Sequence, residues 1–141
     1  MFLVDTDILS ALAKRRRHAN VEAWIEGQRT GDLFISVVSI GEIERGIALQ
    51  HRRNSDFAAM LATWLDQVLD VYGSRVLSFD LASARRWGRL SAALGHSGAD
   101  LQIAATALEH GLTVVTRNVS DFEPTGVPVL NPFVWRSRHR E

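Results

Sequence analysis

MFLVDTDIL, residues 1–9, runs three apolar side chains straight into two carboxylates. Phe2, Leu3 and Val4 read as a short buried strand, and a helical pattern starts at once over 7–13. Asp5 and Asp7 therefore stand at a strand exit. Burying a carboxylate there costs several kcal/mol unless something pairs with it.

The same alternation continues along the chain. Strands are predicted over 2–4, 33–36, 76–79 and 112–115, with a short last one over 127–130. Pro128 and Pro132 bound that last strand, which suits a sheet edge. Helices are predicted over 7–13, 21–28, 39–50, 80–94 and 99–110. A further helix opens at the N-cap candidates Asn54, Ser55 and Asp56 and ends near Gly73. Gly95 and Gly111 close two of the others. Short strands alternating with helices imply an α/β domain with a mainly parallel central sheet of four to five strands, flanked by helices.

The 141 residues fit one domain, expected over 1–133 with a short basic tail over 134–141. Hydrophobic residues make up 46%, enough for a core. Sixteen basic residues balance sixteen acidic ones, so net charge does not point to nucleic acid. The basic residues cluster instead, as Lys14–Arg17, Arg52–Arg53, Arg85–Arg86 and the tail. There is no cysteine, which excludes disulfides, thiolate chemistry and sulfur-ligated zinc. No apolar run approaches the roughly 18 residues that span a membrane, and no secretory leader pattern opens the chain. A soluble, cytoplasmic protein is expected.

In an open parallel sheet, ligands bind beyond the carboxyl ends of the strands. Asp5 sits at one such end. TRNVSDF follows the strand 112–115, so Asn118 and Asp121 sit at another. In GADLQIAATAL, Asp100 shares a helical face with Ile103, Ala104, Ala107 and Leu108. A dipole partner of a helix N-terminus is the plain alternative for it. In SVVSIGEIERG, Glu42 and Glu44 compete, and periodicity does not choose between them. Several carboxylates gathered on one small sheet repel unless a cation sits among them. Magnesium or manganese suits such oxygen donors.

Four ordered segments, LVDTDIL, ISVVSIGEIERGIAL, DLQIAATALEHGLTVVTRNVSDF and VLNP, resemble the PIN domain family. The closer likeness is to the VapC-type toxins of toxin–antitoxin pairs. The resemblance implies a single PIN-like domain. It puts the acidic site on Asp5, Glu42 and Asp100, choosing Glu42 over Glu44. The fourth acid often follows the Thr-Arg pair directly. Here Asn118 holds that place, so Asp121 is the implied fourth acid with Asn118 assisting. Thr6 and Thr116 match small polar positions that support the site, and Asp7 stands where the family often has Asn. The resemblance further implies an endoribonuclease dependent on Mg2+ or Mn2+, acting through metal-activated water. It also implies a homodimer and a small antitoxin partner.

An RNA backbone needs cations along its path. Arg15, Arg16, Arg17 and Arg117 are the candidates, with solvated surface charges as the alternative. No aromatic platform for bases is evident, and Trp24, Trp64, Trp87 and Trp135 read as core or interface. His96 lies near an acid, but the five histidines lack metal-ligand spacing. Two other readings fit parts of the chain. A haloacid-dehalogenase-like phosphatase would use Asp5 as nucleophile, Asp7 as acid and Ser36 after the next strand. It also wants a late cation, as does a phosphorelay receiver, and the only lysine is Lys14. A non-catalytic PIN-like RNA-binding module would keep the fold and lose the metal.

Overall fold

The computed structural model describes residues 1–13 and 18–136. Lys14, Arg15, Arg16 and Arg17 and the tail 137–141 lie outside the described residues. Strands β1 (Phe2–Val4), β2 (Leu33–Ser36), β3 (Val76–Leu77), β4 (Thr113–Val115) and β5 (Val129–Leu130) form one sheet in the order β3-β2-β1-β4-β5. Every pairing is parallel. The expected sheet is thus wholly rather than mainly parallel. The helices are α1 (Thr6–Ala13), α2 (Ala19–Glu26), α3 (Val37–His51), α4 (Ser55–Tyr72), α5 (Leu81–Leu94), α6 (Ala99–His110) and α7 (Val119–Phe122).

Alternation along the strands sends side chains to two cores. Val4, Leu33, Ile35 and Val115 face one side and pack with Ile8, Leu9, Trp24 and Leu65. Leu3 and Val114 face the other and pack with Ile103, Ala104, Ala107 and Phe122. The sheet is buried on both faces, which is why its strands read as continuous apolar runs. Trp24 is 2% exposed and meets Phe2 edge-on at 4.9 Å, so it is a core residue. Trp64 and Trp135 pack at the margin of the same cluster.

Capping residues fix where the helices begin. Ser36, Asn54 and Asp80 each accept a backbone N–H in the first turn of the helix that follows. Gly95 and Gly111 close α5 and α6 at φ 77° and 66°, a conformation that costs other residues strain. The expected strand over 76–79 shortens to Val76–Leu77, because Asp80 turns the chain into α5. The strands expected over 112–115 and 127–130 begin one and two residues later. The short helix α7 was not legible, since four residues carry no period. No helix among the described residues is long and apolar enough to cross a membrane.

Trp24 joins α2 to β1, so its loss opens a cavity in the first core. Trp24→Ala is expected to cost about 3–5 kcal/mol of stability. Chemical denaturation of the two proteins checks this.

Candidate active site

Chain order in the sheet decides where the acids meet. The sheet runs from β1 to β3 on one side, and then β4 returns to the other side of β1. The switch point lies between β1 and β4, where open α/β sheets bind ligands. Asp5 leaves β1 at that point, with its backbone N–H on Val115 O at 2.9 Å. The residue is 4% exposed. Thr6 N donates to its Oδ1 at 2.8 Å, and Thr116 Oγ1 donates to its Oδ2 at 2.8 Å. Asn118 N in turn donates to Thr116 Oγ1 at 3.0 Å.

The helices bring in the remaining acids. α3 starts where β2 ends, so its first turns lie at the same sheet edge. There Thr6 Oγ1 donates to Glu42 Oε1 at 2.6 Å and touches Ser39 Oγ at 2.9 Å. Glu44 has no such contact among the described residues. α6 precedes β4 and runs against it, so α6 begins at the carboxyl edge and delivers Asp100 there. Asp121 arrives on α7, just past β4.

The electrostatics register this convergence. Burial, and then the charge of Asp7, raise the Asp5 carboxyl to about 7, against the pull of its hydrogen bonds. Burial, and then the charges of Asp121, Glu42 and Asp7, raise Asp100, while His96 opposes them. Burial also raises Asp7. Asp7 Oδ2 accepts the Arg117 backbone N–H at 3.0 Å. Its other oxygen is buried and finds no donor among the described residues. Ionised carboxylates only accept, so the neighbouring Asp5 cannot satisfy it without a shared proton.

Asp5, Asp7, Glu42, Asp100 and Asp121 thus face one cleft, with Thr6 and Thr116 bracing it. Asn118 is braced through its backbone, and its side chain makes no hydrogen bond among the described residues. Among those residues, no three acidic or histidine side chains stand close enough to cage a metal directly. The donors are all oxygens, and one buried oxygen is orphaned. Such a set suits a divalent cation that keeps part of its water shell, as magnesium does.

Arg117 is exposed at the rim, and its guanidinium lies over the Phe133 ring at 4.7 Å. Arg15, Arg16 and Arg17 fall outside the described residues. Ser39 and Phe133 were not among the expected site residues: Ser39 lies within the segment ISVVSIGEIERGIAL and Phe133 just past VLNP, but each reaches its partner, Thr6 or Arg117, only through tertiary contact. Ser36, which the phosphatase reading needs, uses its hydroxyl to cap α3 by accepting Val38 N at 3.0 Å.

A pocket of about 250 Å3 opens beside this cleft. Thr6 and Glu42 form its acidic end, and Ile47, Phe57, Leu61 and Trp64 form its apolar wall.

The family model of the PIN domain matches residues 2–124. A VapC ribonuclease, Y4jK, from Sinorhizobium fredii is 36% identical over 140 residues, spanning 94% of this chain and 98% of the relative. The solved structure of FitAcB from Neisseria gonorrhoeae superposes with a TM-score of 0.86 at 30% identity, covering 96% of this chain and all of that one. A toxin–antitoxin complex from Klebsiella pneumoniae gives 0.72 at 26% identity, over 94% of this chain and 98% of that one. With the acids gathered at the switch point of a five-stranded parallel sheet, this chain belongs to the PIN domain family.

Proposed function

We propose that the chain is a metal-dependent endoribonuclease, the toxin of a toxin–antitoxin pair. The observation that carries the proposal is the cleft itself: five carboxylates at one sheet edge, with Asp5 buried and pushed to about 7. A ribonuclease and a toxin–antitoxin complex among the similar proteins support it.

Asp5, Glu42 and Asp100 are the proposed metal ligands, directly or through water, with Asp121 completing the set and Asn118 assisting. Mg2+ or Mn2+ bound there supplies a water of lowered pKa and stabilises charge on the phosphate oxygens. The chain's own residues do the rest. Thr116 and the Thr6 amide hold Asp5 in one orientation. The Thr6 hydroxyl holds Glu42. Asp7 ties the loop after β4 to the exit of β1, and the charge of Asp121, just beyond that loop, acts on Asp100. Arg117 supplies positive charge where a polyanionic backbone would approach.

The antitoxin belongs to the same proposal. The pocket walled by Phe57, Leu61 and Trp64 takes an apolar anchor of a small partner, and a partner Arg or Lys beyond it would reach Glu42. A homodimer acting in the cytoplasm completes the reading.

The test is cleavage of RNA by the purified chain, with and without chelator. Asp5→Asn is expected to lose more than about a hundredfold in kcat/KM, the upper range for disturbing even a supporting group at a metal site. The parent is expected to arrest growth when expressed alone, and the variant is not. RNA cleavage by Asp5→Asn at the parental rate would overturn the assignment.

A pH dependence follows from Asp5. Its folded value of about 7 lies above the ordinary 3.8, so the folded chain holds a proton that the unfolded chain releases. Stability without divalent metal is then expected to fall as pH rises from about 4 to about 7. Asp5→Asn lacks this titration, so it is expected to gain on the parent across that window. Melting both proteins in chelator at about pH 5 and about pH 8 reads the change. A difference between them that does not move with pH would contradict it.

A further inference from the structure

Arg117 is held at two points. Its backbone N–H donates to Asp7 Oδ2 at 3.0 Å, and its guanidinium sits 4.7 Å from the centroid of Phe133. An exposed arginine ordinarily samples many rotamers, and fixing one costs entropy. Here the cation–π contact orders the side chain before any ligand arrives. A guanidinium over a ring face leaves its in-plane N–H edge free, and that fork matches two phosphate oxygens. Among the described residues the ion pairs are Arg29–Asp32 and Arg86–Glu109, so no described acid takes up this edge.

Phe133 is itself fixed. Its N–H donates to Asn131 Oδ1 at 2.9 Å, and its carbonyl accepts from Asn20 Nδ2 at 2.9 Å. The His18 ring meets it edge-on at 5.0 Å. His18, Ala19, Asn20 and Phe133 line a surface pocket of about 250 Å3. Arg117 follows β4 and Phe133 follows its neighbour β5, so this pocket opens at the same sheet edge as the acids. In sequence, the run Lys14–Arg17 ends directly before His18.

We infer that Arg117 and the pocket at Phe133 form a phosphate subsite for single-stranded RNA, beside the carboxylate cleft, with Phe133 as the positioning residue for the Arg117 guanidinium. The inference rests on the proposed RNA substrate. A cleft of carboxylates repels a polyanion, so the strand must be gripped next to the acids by a cation whose position is fixed. Arg117 is the described cation that meets both conditions.

The experiment reads binding separately from cleavage. In the Asp5→Asn chain, affinity for a labelled single-stranded RNA of about 12 nucleotides is followed by anisotropy at several salt concentrations. Phe133→Leu keeps apolar bulk and removes the ring. It is expected to weaken binding about two- to fivefold, the share of one exposed cation–π contact. Arg117→Ala is expected to weaken binding further and to lower the salt slope by about 0.7, one phosphate on a single strand. Adding Phe133→Leu to Arg117→Ala is expected to change nothing more, and Phe133→Tyr is expected to bind like the parent. Arg117→Lys keeps the charge without the planar fork and is expected to bind weakly, which tests the idea even if Phe133→Leu fails to fold.

Additive losses, parental affinity in Arg117→Lys, or no loss in any variant would overturn the subsite. Cleavage by the parent chain in magnesium is measured beside these. Loss of cleavage with Arg117-dependent binding intact would sink the nuclease reading and keep the subsite. Robust cleavage with an unchanged KM in Arg117→Ala would do the reverse.

Discussion

The buried carboxylate of Asp5 is the constraint on which the rest of the site depends. It sits at the exit of a three-residue strand in the middle of the sheet, with almost no contact with water. A bare carboxylate in that position is expensive, and hydrogen bonds offset only part of the cost. The Thr6 amide and the Thr116 hydroxyl each satisfy one oxygen. Thr116 directly follows β4, so the carboxylate is held only when β1 and β4 pair in register. That register, Val4 against Val115, is a backbone property that the burial of Leu3 and Val114 on one face fixes.

The sheet order turns one such exit into a site. Parallel strands end at a common edge, and helices that precede a strand begin there. Asp5 and Asp7 after β1, Glu42 after β2, Asp100 on α6 and Asp121 after β4 all arrive by this rule. Neighbouring acids are costly, and here the charge of Asp7 adds to burial in raising Asp5, while those of Asp121, Glu42 and Asp7 add to burial in raising Asp100. Local conflict of this kind marks a place where stability has been given up for chemistry. The supporting residues are small and hydroxylic. Thr6 and Thr116 donate to Glu42 and Asp5, and Thr6 also meets Ser39, all with short side chains that add little bulk between the acids.

Asp7 and Phe133 show how the rim is built. Asp7 spends one oxygen on the backbone of Arg117, which joins the β1 and β4 exits. Phe133 spends its ring on the guanidinium of the same residue. The loop after β4 is thereby braced from both sides, next to the acids it carries.

Much of this was legible in the residues. The apolar runs, the caps at Asn54 and Asp80 and the glycines 95 and 111 set the elements, because local backbone preference and burial period act over a few residues. Periodicity did not choose between Glu42 and Glu44, and the choice of Glu42 came from the resemblance to PIN domains; its hydrogen bond from Thr6 joins residues 36 positions apart and is written in no local pattern. Other features were not legible. The short strand β3 was read too long, because apolar period does not register where Asp80 turns the chain. Phe133 carried no expectation, because a ring 16 positions from Arg117 meets it only through the pairing of β4 with β5. The sequence alone determined which residues are apolar, where helices start and which acids are available. Tertiary structure decided which acids meet and which arginine is held, because only the order of strands in the sheet brings distant exits to one edge.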